Sequence, residues 1–64
     1  MNIVALFDAF KEDCPSLAKK ATCYTANHEK INSIVIQCDD GKVVTYTKGP
    51  NATFIDIRNS KGGD

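Results

Sequence analysis

Three cysteines and one histidine, Cys14, Cys23, His28 and Cys38, are the residues of this chain best suited to metal or nucleophilic chemistry. By type they match a three-cysteine, one-histidine zinc site. By spacing they do not. Structural zinc sites present ligands in pairs a few residues apart on tight knuckles, and the nearest two here, Cys23 and His28, are five positions apart. A zinc-stabilised module is therefore an alternative and not the leading reading. A Cys23 thiolate activated by His28 would also need an orienting group and an oxyanion hole, all held rigidly. The stretch "CYTANHEKIN", residues 23 to 32, is a connector with no clear period, and it supplies neither. No catalytic residue, cofactor or metal ligand is assigned, and a non-enzyme is expected.

The other chemically suggestive stretch is "CDDGKVV", residues 38 to 44. Asp39 and Asp40 could be taken for a cation site or an acid/base pair. Neighbouring positions on a turn point in different directions, however, and calcium loops need further oxygen ligands at set intervals. Asp and Gly are what a tight hairpin demands of its backbone, so the expected role of the pair is geometric.

Such residues must be positioned by a very small scaffold. The chain has 64 residues, which allow one domain, expected over 1–59 with 60–64 ("SKGGD") as a flexible tail. A chain this short buries only ~60% of the surface its unfolded form exposes, so disulfides, a metal or association would help it. An odd cysteine count in a chain without a recognisable secretion signal argues for reduced thiols. The location expected from this is cytoplasmic, with no membrane association, because the apolar run after Met1 is short and is interrupted by Asp8. Eight basic and eight acidic residues give a formal net charge of zero. That balance lacks the basic excess that drives nucleic-acid binding by counterion release. It also removes one barrier to self-association.

From Asn2 the pattern is helical. Ile3, Phe7, Phe10 and Cys14 recur at spacings of four, three and four, with Leu6 beside them, while Asp8, Lys11 and Glu12 face outward. Asn2 can cap this helix. Pro15 would clash with the carbonyl of Lys11 in a continuous helix, which predicts a break at Asp13–Cys14 and a short second helix with Leu17, Ala18 and Ala21 inward. One longer kinked helix is the alternative. The remainder is rich in β-branched and aromatic residues and is punctuated by two turns, which predicts strands near 33–38, 42–48 and 53–58. "CYT" at 23–25 could add a short edge strand.

Register follows from parity. A two-residue Asp40-Gly41 turn would set Ile36 against Thr45, whereas a three-residue Asp39-Asp40-Gly41 loop sets Ile36 against Val44 and Ile34 against Tyr46. A one-residue slip exchanges every side chain between faces, so apolar matching selects the longer loop. A four-residue second loop then sets Tyr46 against Ile55 and Val44 against Ile57. One face carries Ile34, Ile36, Cys38, Val44, Tyr46, Ile55 and Ile57 and is the expected core, covered by the Ile3/Phe7/Phe10 stripe. The predicted fold is α+β: an N-terminal helix, broken near Pro15, packed on one face of a three-stranded antiparallel β-meander.

The opposite face holds the candidate site. Val35, Val43, Thr45, Thr47, Phe54 and Arg58 form a surface less polar than a solvated face and less apolar than a core. The function expected from this is a small intracellular, non-enzymatic binding protein, a regulator or inhibitor acting by protein–protein contact. Size class alone suggests a phage- or mobile-element-encoded protein directed at a host target. A homodimer would relieve the small core. The alternative is a nucleic-acid-binding regulator using Lys42, Lys48 and Arg58, with Tyr46 or Phe54 stacking on bases.

Overall fold

The computed structural model describes residues 2–59. The expected tail at 60–64 lies outside them. Helix α1 runs Ile3–Asp13 and begins where the Asn2 side chain accepts a hydrogen bond from the Ala5 N–H at 2.8 Å, satisfying one of the helix's unpaired donors. It stops at Cys14, whose φ of −134° is not helical. A short second helix, α2 (Pro15–Ala18), follows with Pro15 in its first turn, so the break predicted at Asp13–Cys14 is real.

Among the described residues the antiparallel sheet has four strands, not the predicted three: β1 (Ala21–Ala26), β2 (Ser33–Cys38), β3 (Lys42–Lys48) and β4 (Thr53–Asn59), in spatial order β1-β2-β3-β4. Ala21, expected on α2, opens β1, and the first four residues of the expected connector, 23–26, are strand. The reason is a β-bulge. Ala21 pairs with Cys38 and Cys23 with Gln37, leaving Thr22 as the extra residue. Ala21, Tyr24 and Ala26 consequently sit opposite the core residues Cys38, Ile36 and Ile34, at spacings of three and two. No period of two survives in the sequence of β1.

The two hairpins have the registers that parity selected. Ile36 faces Val44 and Ile34 faces Tyr46 across the first; Tyr46 faces Ile55 and Val44 faces Ile57 across the second. Gly41 closes the first loop with φ 88°, and its N–H donates to the Cys38 carbonyl at 3.2 Å. Asp40 accepts from the Lys42 N–H at 3.1 Å and stands 3.6 Å from Lys20 and 3.7 Å from Lys42. That backbone hydrogen bond and, less strongly, the two cations hold its carboxyl below the usual carboxylate range.

Helix α1 lies on one side of the sheet and buries Leu6 and Phe10 against Ile34, Ile36, Cys38, Val44 and Tyr46. Phe7 stacks on Tyr24 of β1 with ring centroids 4.2 Å apart, and Phe10 meets Tyr46 edge-on at 5.4 Å. Ile55 and Ile57 were expected in this core and are not: they remain 41% and 46% exposed. A helix about 10 Å across spans roughly two strand spacings of ~4.8 Å. With β1 present the central pair is β2–β3, and β4 falls beyond the helix.

Candidate functional site: the open sheet face

Among the described residues the sheet face turned away from α1 carries no helix. Cross-strand pairing lays out three rows on it: Thr25, Val35, Thr45 and Asp56; Cys23, Gln37, Val43 and Arg58; and Ser33, Thr47 and Phe54. The six residues singled out in the sequence, Val35, Val43, Thr45, Thr47, Phe54 and Arg58, all line one open groove of ≈650 Å³ on this face. Val35, Val43, Thr45 and Thr47 are half-buried by their neighbours, and Phe54 is 63% exposed.

Sequence reasoning missed Cys23 and Thr25, which extend the rows of this face onto β1, and the loop residues Asn27, Glu29 and Lys30, which line the groove. The loop is shaped by its two asparagines. Asn27 accepts from the Glu29 N–H at 2.9 Å in an Asx turn, and Asn32 adopts φ 59°. The Asn27 side-chain amide donates to the Ser33 hydroxyl at 3.1 Å, and that hydroxyl lies 2.9 Å from the Thr47 hydroxyl. Buried Ser33 is thereby satisfied, and the loop is tied to β3. An Asn pair bracketing a short polar segment was the available signal.

Charge on this face is balanced. Arg58 donates through Nε to Asp56 at 2.9 Å, and both side chains are exposed, which makes this a solvent-screened pair. Tyr46, suggested for stacking on bases, is fully buried and cannot serve; Phe54 is the aromatic on the surface. Lys42, suggested as a phosphate contact, stands beside Asp40.

The cysteines are free thiols. Among the described residues no group of three or more His, Cys, Asp or Glu could hold a metal ion, so Cys14, Cys23, His28 and Cys38 do not come together as one ligand set. Cys38 is buried, and burial first, then Asp40 and Asp39, push its thiol up from the ordinary value. Cys23 is exposed on β1, and Cys14 is half-buried at the helix break. In a timed alkylation followed by mass spectrometry, Cys23 is expected to react first and Cys38 only on unfolding. Early labelling of Cys38 would mean that β2 opens far more readily than its packing implies.

No helix among the described residues is long and apolar enough to cross a membrane. Comparison with protein-family models, curated proteins and solved structures gives no match.

Proposed function

We propose that the chain is a small non-enzymatic binding protein, a regulator or inhibitor that acts by seating the open sheet face on a protein partner. One observation carries this reading. Among the described residues no helix covers this face of the four-stranded sheet, and its centre is built from Val35, Val43, Thr45 and Thr47 with Phe54 projecting beside them. Half-buried β-branched residues around an exposed aromatic make a moderately apolar patch with a polar edge, the composition of a protein–protein contact. The nucleic-acid alternative is weaker, because two of its three candidate cations, Lys42 and Arg58, each stand next to a carboxylate that repels phosphate.

Val35→Arg places a long cation at mid-face on a central strand without touching the core or the β4 edge. The wild-type chain is expected to retain a stoichiometric protein from extracts of its source cell, and the variant to lose it at unchanged circular dichroism. Undiminished retention by the variant removes the open face from the contact. Release by nuclease, together with binding that falls steeply as salt is added, supports the nucleic-acid reading instead.

A further inference from the structure

The two edges of the sheet are built differently. The β1 edge is interrupted by the bulge at Thr22, a device that blunts edge-to-edge pairing. The β4 edge has no such interruption, since Thr53 to Asn59 pair with β3 at seven successive positions. Its outward groups can be named. Lys48 donates its N–H to the Asn32 carbonyl, and Gly49 donates to the Ala52 carbonyl, so the alternation of the antiparallel ladder turns Phe54, Asp56 and Arg58 toward β3. Thr53, Ile55, Ile57 and Asn59 therefore present their N–H and C=O groups on the outer edge. On the helix side of this edge lie Ile55 and Ile57, which α1 does not cover.

We propose that β4 pairs antiparallel with β4 of a second copy, about a two-fold axis through Ile57, to give a continuous eight-stranded sheet. Self-complementary charge selects both occupant and register. A two-fold axis perpendicular to the sheet pairs residues of like parity, so three central registers compete. An axis at Asp56 sets that carboxylate against its own copy, a repulsive pair. An axis at Ile55 sets Phe54 against Asp56 and leaves Arg58 facing Ala52. An axis at Ile57 sets Asp56 opposite Arg58 of the second copy and Arg58 opposite its Asp56. These are two symmetric ion pairs at non-hydrogen-bonded positions, where facing side chains are closest. In that register Ile57 meets Ile57 and Ile55 meets Asn59, with their outward backbone groups aligned to hydrogen-bond. The two Ile55 side chains flank the Ile57 pair diagonally, closing an apolar cluster on the side α1 leaves bare. A net charge of zero places no general repulsion between the copies.

This pairing does not depend on partner capture by the open face, although it would join two such faces into one. The test is sedimentation equilibrium from micromolar to millimolar concentration. The wild type is expected to dimerise. Asp56→Arg and Arg58→Asp each bring like charges together at both symmetric positions and are expected to weaken the dimer about tenfold or more. An equimolar mixture of the two variants is expected to dimerise again as a heterodimer, identified by isotope-labelling one of them. The double exchange Asp56→Arg/Arg58→Asp restores the homodimer, which separates a charge effect from misfolding. Val35→Arg, off the edge, leaves dimerisation intact. A wild-type chain that is monomeric throughout overturns the proposal, whether or not β4 then takes an extended peptide of another protein. So does a dimer indifferent to the reversals, or one abolished by Val35→Arg.

Discussion

Phe10→Ala is expected to lower the melting temperature by about 15 °C or more, and Phe7→Ala by much less. Both residues lie on the same helix stripe, and their environments separate them. Phe10 is fully buried and meets Tyr46 edge-on, at the point where α1 is anchored to the central strands. Its truncation removes apolar contact and leaves a cavity that a sheet with paired strands cannot collapse into, at a cost of ~3–5 kcal/mol. A chain of 64 residues has only ~3–10 kcal/mol of stability in all at the usual ~0.05–0.15 kcal/mol per residue. Phe7 is half-buried and lies over Tyr24 of β1, where solvent can refill part of the space it vacates. Thermal melts followed by circular dichroism check the pair. Equal losses would mean that α1 is held as much by its contact with β1 as by the core over β2 and β3.

The residues around the first hairpin explain why so much of this fold is legible in the sequence. Ile34 and Ile36, like Val44 and Tyr46, recur at every second position with the smaller or more polar Val35 and Thr45 between them, and Gly41 supplies the one positive-φ residue that the three-residue loop needs. Parity therefore had a single apolar solution, and the composition of the open face followed from it. β1 was legible only as the possible edge strand "CYT" at 23–25, for the complementary reason. The bulge at Thr22 shifts the phase of "ATCYTA", so its inward residues do not alternate, and two of the three are alanines with little apolar signal. Leaving β1 out of the expected three-stranded sheet produced the second error. With three strands, β3 would be central and α1 would reach β4; with four, the centre moves and Ile55 and Ile57 are left bare. Periodicity reports which face a strand residue occupies, but not whether another element reaches that part of the face. The candidate site was legible as a face because strand alternation is local. Its rim at Asn27, Glu29 and Lys30 was not, because it depends on where a six-residue loop folds back.

Stability is expected to fall steeply as pH rises between 10 and about 12, and Tyr46→Phe is expected to remove most of that fall. The Tyr46 side chain is fully buried, and its hydroxyl donates to Asp13 Oδ2 at 2.6 Å, joining the last turn of α1 to β3. Burial first, then the Asp13 carboxylate, push its pKa up from 10 to about 12, because the phenolate would lose its solvent and face a negative charge. The folded chain thus keeps this proton where the unfolded chain has released it. The resulting stability is fully present below the unfolded value and is lost as pH rises through the folded one. Two pKa units correspond to roughly 2–3 kcal/mol, a large share of what a domain this size possesses. At neutral pH the phenylalanine variant should be less stable by about 1 kcal/mol, since the lost bond is charge-assisted but Asp13 is exposed and regains water. Urea midpoints across the alkaline range decide the matter. The wild-type curve should start about 1 kcal/mol higher and, losing roughly 2–3 kcal/mol as Tyr46 ionises, cross below the variant's. Parallel curves would show that the hydroxyl ionises as readily in the fold as outside it, and that α1 and β3 are joined by packing around Phe10 alone.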